Sequence, residues 1–219
     1  GIFSAGYEFI KEKAIYRRER MISLRLVPYV GSKLVVLGAF MALQLAIFLG
    51  VLALGQRLPA AGALVWAPLE YYLTLLLSAM AAIGLGLFIS ALARSKDMVT
   101  YLILLAILGQ IIFSGAIFQL TPLTEPLSYL TITRWSLEAL GISTDINELN
   151  RLGQVRVINN LETGRGLTTL INDIPASVDF YINYTRHPAA LVARWIFLLA
   201  QLLLFGWLAL GRLRREDEL

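Results

Sequence analysis

The chain has 219 residues, 58% of them hydrophobic and 16% charged, with a net charge of +4 and a mean hydropathy of +0.69. A typical soluble domain is about 45–50% apolar and about 25% charged, so lipid is part of this chain's solvent, and disordered, collagenous and coiled-coil classes are excluded by the same figures. Cysteine is absent and His187 is the single histidine, which excludes disulfide frameworks, thiolate metal sites and cysteine nucleophiles and argues against a histidine-rich metal site or a Ser-His-Asp relay.

Residues 1–10, GIFSAGYEFI, read as the last turns of a transmembrane helix cut short at Gly1. No basic region or small-residue cleavage site makes them a signal peptide. Residues 7–25 read as a helix, free of proline and glycine until Pro28. At 100° per residue, Tyr7, Ile10, Ala14 and Met21 fall on one side, with Lys11 and Arg18 at its edge. Glu8, Glu12 and Glu19 share another face. Glu8 has Lys11 at i+3, whereas Glu12 and Glu19 have no basic residue three or four positions away. Two readings stand: solvated surface carboxylates, or an acidic face that docks on another subunit or domain.

A membrane-spanning helix needs about 20 mostly apolar residues. Four segments qualify: Leu34–Gly55, Tyr71–Ala93, Met98–Phe118 and Ala189–Gly211. The first three carry no charge, and the fourth has Arg194 near its start, where it is expected to snorkel outward. Ser78, Ala82, Gly86 and Ser90 form a ladder of small residues at four-residue spacing, which suits close helix packing in lipid; chance in an Ala/Gly-rich helix is the alternative. Glu70, at the start of the second span, reads as an interfacial carboxylate, with a proton relay as the alternative. Gln44, Gln110 and Gln201 lie within spans as interhelical hydrogen-bonding groups or path-lining residues.

Lysine and arginine set the orientation. Residues 11–33 carry Lys11, Lys13, Arg17, Arg18, Arg20, Arg25 and Lys33; the 94–97 turn carries Arg94 and Lys96; the 212–219 tail carries Arg212, Arg214 and Arg215. The 56–70 connection carries only Arg57. With four spans, residues 11–33, 94–97 and 212–219 are expected on the cytoplasmic side of a plasma or inner membrane. The positive charge is then a topology signal, and no nucleic-acid partner is expected. After the third span, Pro122 and Pro126 prevent a regular helix while the segment stays apolar. Residues 119–141 therefore suit a re-entrant or interfacial element, either a gate or a simple cap. Gln110, Ser114, Phe118, Pro122 and Pro126 are the candidate path or gate residues.

Residues 142–188 are polar and are expected outside the cell. Asn183-Tyr184-Thr185 is an N-x-[ST] sequon there. GRGLTT lacks the spacing and lysine of a phosphate loop, and no such motif occurs elsewhere, so no ATP-hydrolysing site is expected in this chain. The expected architecture is an all-α polytopic membrane helix bundle. Its parts are a truncated helix end over 1–10, a cytoplasmic amphipathic helix over 11–32 and three spans within 33–118. The 119–141 element, the 142–188 loop, a last span over 189–211 and the 212–219 tail follow.

Glu12-Lys-Ala-Ile-Tyr16-Arg-Arg18-Glu19-Arg20, followed by Tyr29-Val-Gly-Ser32-Lys33, resembles the "E…[FY].RE…Y..SK" pattern of ABC exporters of the G (White) subfamily, part of the ABC-2 permease group. The short 94–97 turn is similar to that family's turn between its fourth and fifth spans. Arg134-Trp135-Ser-Leu-Glu138-Ala-Leu140 resembles its "R[YW]..EAL" segment. The resemblance implies that Glu12, Tyr16, Arg17, Arg18, Glu19 and Arg20 belong to a coupling helix resting on a nucleotide-binding domain. It also implies a second permease half, as homo- or heterodimer, and export of a hydrophobic or lipid-like substrate. ATP and Mg would be held by a nucleotide-binding domain upstream or on another subunit, with no cofactor in this chain. The alternatives are a non-ABC multipass transporter or channel, an intramembrane enzyme, and a membrane anchor for a cytoplasmic domain. The first two would need charged or catalytic groups at depth, which the uncharged spans do not supply.

Overall fold

The computed structural model describes residues 1–12, 25–55, 62–115, 124–144 and 187–217. Tyr16, Arg17, Arg18, Glu19, Arg20, Phe118, Pro122, the sequon at Asn183 and nearly all of the 142–188 loop lie outside the described residues. The described elements are all helical: α1 Ile2–Gly6, α2 Glu8–Lys11, α3 Leu26–Gly55, α4 Ala67–Leu92, α5 Lys96–Ile112, α6 Glu125–Ser128, α7 Ile132–Thr144 and α8 Pro188–Asp217. The protein is thus an all-α polytopic membrane bundle.

Among the described residues, three helices are long and apolar enough to cross a membrane: α3, α4 and α8. The helix of α3 begins at Leu26, eight residues before the uncharged run at Leu34, and Pro28 is accommodated in its first turn. Residues 26–33 are therefore the foot of a 30-residue rod about 45 Å long. The third expected span is helical over 17 residues, Lys96–Ile112. That is about 25 Å, short of a hydrocarbon core of about 30 Å. Phe113 caps this helix, and Gly115 then turns the chain at φ 76°, a left-handed conformation that glycine adopts without a steric cost.

The helix expected across residues 7–25 is interrupted. α2 ends at Lys11 with Glu12 as its cap, and the run expected over 1–10 is itself broken at Tyr7. The break has a physical reason: the Phe9 amide donates at 3.0 Å to Ser90 Oγ on α4 instead of continuing the helical ladder. The Tyr7 hydroxyl shares a 2.7 Å hydrogen bond with Thr100 Oγ1 on α5.

The centre of the bundle is α4, which packs against α8, α1, α3 and α7. Two glycines set how closely its neighbours approach. Gly86 lies under α1: a Cβ there would sit 2.6 Å from the Ile2 carbonyl oxygen and 2.8 Å from Ala5 Cβ. Gly84 lies on the opposite side, about 200° around the helix, and a Cβ there would meet the backbone of Leu202 on α8 at 3.3 Å. Around them Ile83, Leu87, Leu198, Leu213 and Leu26 are buried. Between α4 and α5 the chain needs only Ala93–Ser95, because Ser95 caps α5 by accepting a hydrogen bond from the Met98 amide at 3.2 Å.

One end of the bundle gathers α2, the foot of α3, the α4–α5 turn and the end of α8. The other gathers the Gly62–Trp66 turn, α6, α7 and the start of α8. Gly86→Leu should force α1 off α4 at a cost of about 1–3 kcal/mol and lower the thermal midpoint of the purified protein by about 5 °C. Gly109→Ala, where nothing lies within 4 Å of the added carbon, should leave it unchanged or slightly raised. Thermal unfolding of the two variants side by side checks this.

Candidate functional site: two polar clusters at opposite ends of the bundle

The first cluster joins α2 to the foot of α3. Glu8 and Glu12 stand four residues apart and so share a helix face. Lys33, two turns into α3, donates to both: to Glu8 Oε2 at 3.0 Å and to Glu12 Oε1. Tyr29, one turn before Lys33, donates its hydroxyl to Glu12 Oε2 at 3.0 Å. The Tyr29 ring also packs on Phe9, with centroids 5.6 Å apart, and lies under the Lys33 ammonium.

Glu12 therefore has its charge partner 21 positions along the chain, where a search at helical spacing could not find it. Burial would raise the Glu12 carboxyl. Hydrogen bonds from Lys33 and Tyr29, together with the lysine's charge, outweigh this and hold it below its ordinary value of 4.5. These side chains keep partial access to solvent, 19% for Lys33 and 35% for Glu12. At such exposure the ion pairs contribute little binding energy.

The second cluster is buried at the opposite end. Glu138 on α7 accepts from Arg134 Nε at 3.0 Å, one turn earlier, and from Arg194 Nε on α8, also at 3.0 Å. Arg194 thus turns inward to a carboxylate rather than snorkelling outward. Arg134 also donates to Ser128 Oγ at the end of α6 and lies 4.2 Å over the Tyr129 ring. Next to it, Trp135 stacks on Phe197 at 4.0 Å and donates its indole N–H to the Tyr129 carbonyl at 2.9 Å. The Arg-Trp-x-x-Glu segment thereby ties α6, α7 and α8 into one body.

Glu70 is fully buried at the start of α4. Its carboxylate accepts the amides of Ala63 at 2.9 Å, Val65 at 2.8 Å and Leu64 between them. Successive amides forming an anion nest make this group the closure of a turn, a role its sequence position at the start of the span did not indicate. The clue lay in Gly62: a Cβ there would lie 2.5 Å from the Glu70 carboxyl carbon.

Other candidate residues fall into place around these clusters. Gln110 Oε1 accepts from Thr133 N at 3.0 Å and Thr133 Oγ1 at 2.9 Å, joining α5 to the first turn of α7. Gln201 donates to the Leu130 carbonyl at 3.1 Å. Gln44 is exposed on α3. Ser114 is buried and donates to the Ile111 carbonyl, while Pro126 sits exposed in the first turn of α6. In the small-residue ladder, a Cβ at Gly1 would meet Ala82, Gly86 faces Ile2 and Ala5, and Ser90 holds Phe9. Ser78 donates back to the Thr74 carbonyl. Among the described residues no group of three or more metal-ligating side chains occurs.

The charged clusters thus lie at the two ends of the described bundle. The chain belongs to the ABC-2 type transporter family, whose model matches residues 1–143. It is 30% identical over 147 residues to an ABC transporter ATP-binding/permease protein of Mycobacterium tuberculosis, a match covering 65% of this chain and 17% of that relative. No solved structure matches the chain. The chain is thus an ABC-type transmembrane permease domain and a membrane protein.

Two outcomes follow from the clusters. Glu138→Gln leaves two guanidinium groups facing a neutral amide at a buried site and should cost about 3–5 kcal/mol, seen as loss of the folded peak in size-exclusion chromatography. Arg134→Met combined with Glu138→Met should cost less than Glu138→Gln alone. At the other end, the stabilisation that ionised Glu12 supplies is complete above pH 4.5 and is lost as pH falls through its lowered folded value. The thermal-midpoint gap between the native protein and Glu12→Gln should therefore be flat from neutral pH to about pH 5.5 and close only at more acidic pH.

Proposed function

We propose that this chain is the permease half of an ATP-driven exporter of the G (White) type, moved by a nucleotide-binding domain that carries the ATP and Mg. The convergence of Glu12, Tyr29 and Lys33 carries this reading. These are the residues through which the sequence resembles that subfamily's coupling segment, and they meet at one joint. Support for an ATP-hydrolysing partner comes from the Mycobacterium tuberculosis relative, an ABC transporter ATP-binding/permease protein.

On this reading the end bearing α2, the α4–α5 turn and the arginines of α8 faces the cytoplasm, as the distribution of lysine and arginine favours. The third apolar segment, Met98–Phe118, also crosses the membrane and brings the spans to four, with α5 as its described helix. The coupling segment expected over 11–32 would bear on the nucleotide-binding domain. Approach of two such domains pushes this segment, and the Glu8/Glu12–Lys33 joint passes the push to α3, a rigid rod. Two permease halves then rock between inward- and outward-facing states around a hydrophobic or lipid-like substrate. Uncharged spans suit such a cargo because they offer it no fixed countercharge.

The test uses the intact protein with its nucleotide-binding domain, in vesicles. Glu19→Ala should lower transport while membrane insertion stays near normal. Lys33→Met should lower transport about tenfold or more while ATP hydrolysis persists, because the motor would turn over with its linkage loosened. Unchanged transport with normal expression in both variants would reject the coupling role.

A further inference from the structure

Between the foot of α3 and the end of α8 runs an open groove of about 410 Å3, lined by Arg25, Leu26, Val27, Pro28 and Arg214. Its chemistry is two-sided: two guanidinium groups beside an apolar wall. The geometry is fixed by packing, since Leu26 and Leu213 are buried in one cluster with Val30 and Ala209. That contact holds Arg25, next to Leu26, and Arg214, next to Leu213, at the same level. Both arginines are exposed, and among the described residues neither has an ion-pair partner.

The groove lies at a defined depth. Arg214 stands three residues beyond Gly211, the last residue of the uncharged run of α8. That is about 4.5 Å along the axis of α8, while on α3 Arg25 stands nine residues before Leu34, so the groove lies on the polar side of the hydrocarbon border. Val27 is 58% exposed and forms the apolar floor beside the arginines. A ligand for this groove must carry an anionic oxygen cluster, for two guanidinium forks, joined to an apolar chain. A soluble anion would leave the apolar wall wet, and a zwitterionic lipid would bring an ammonium against two arginines.

We propose that this groove binds the phosphate-bearing headgroup of an anionic phospholipid, with Arg25 and Arg214 on the phosphate and Val27 and Pro28 against the upper acyl chain. Such a lipid would join α3 to α8 at the end of the bundle where the described residues supply no ion pair between them.

The test uses the purified full-length protein in mild detergent, titrated with fluorescent phosphatidylglycerol, with fluorescent phosphatidylcholine of the same chains, and with inorganic phosphate as competitor. The native protein should prefer phosphatidylglycerol about thirtyfold. Arg25→Gln with Arg214→Gln should abolish that preference and leave phosphatidylcholine binding unchanged. Val27→Glu keeps both arginines but sets a carboxylate among them, and should abolish the preference too, which guards against a double variant that fails to fold. Equal binding of the two lipids by the native protein, or an unreduced preference in foldable variants, overturns the proposal. Full displacement by inorganic phosphate overturns the lipid assignment in favour of a free anion.

Discussion

Helices already immersed in lipid gain little by hiding apolar surface from one another, so their association depends on how closely their backbones can approach. In this bundle α4 supplies that approach on two opposite sides. Gly86 lets the backbone of α1 come within the space a Cβ would fill, and Gly84 does the same for Leu202 of α8. Everything else is arranged around these two contacts. The contrast with α3 is instructive: Val35, Phe40, Leu43, Ile47 and Val51 remain exposed along its outer face, and nothing lies within 4 Å of a carbon added at Gly31 or Gly50. Its other face is packed on α4, where a Cβ at Gly38 would lie 2.6 Å from Met80 Sδ and Tyr72 donates to the Ala42 carbonyl at 3.2 Å, and the Lys33–Glu8/Glu12 joint fixes its foot.

Much of the architecture was legible in the sequence because charge and apolar length are blunt constraints. Three of the apolar runs appear as long helices, and the side of α4 that carries Ala82, Gly86 and Ser90 meets the first ten residues, a partner the ladder's spacing alone did not name. What the sequence hid was long-range pairing. Arg194 looked like an arginine seeking water, because nothing near it in sequence demanded a cation. Its partner, Glu138, is 56 residues away. Glu70 looked interfacial because its ligands are backbone amides, which leave no mark in side-chain patterns. The length of α3 was underestimated because a span is read from hydropathy, whereas a helix continues wherever its hydrogen bonds can, including through a first-turn proline.

The two polar clusters differ in a way that bears on motion. Glu138 is almost fully enclosed and binds two arginines, one of which also binds Ser128 and lies on Tyr129. Breaking such a set exposes uncompensated charge in a dry site, so α6, α7 and the start of α8 move together or not at all. The Glu8–Lys33–Glu12 set is partly open to water. Its partners can exchange a protein contact for a hydrated one at small cost.

On the proposed reading, a permease half that rocks would use one of each kind of joint. A rigid joint keeps the elements of its outer end in register, and a compliant one lets the driven end shift without breaking the bundle. Lys33 suits the compliant role through its length: an ammonium on a four-carbon stem can follow either Glu8 or Glu12 as α2 turns, whereas the planar fork of an arginine would favour one arrangement. At the other end the cations are arginines, whose geometry rewards a single fixed arrangement. On the proposed reading, lysine at the driven joint and arginine at the fixed one is a division of labour that follows from the chemistry of the two cations.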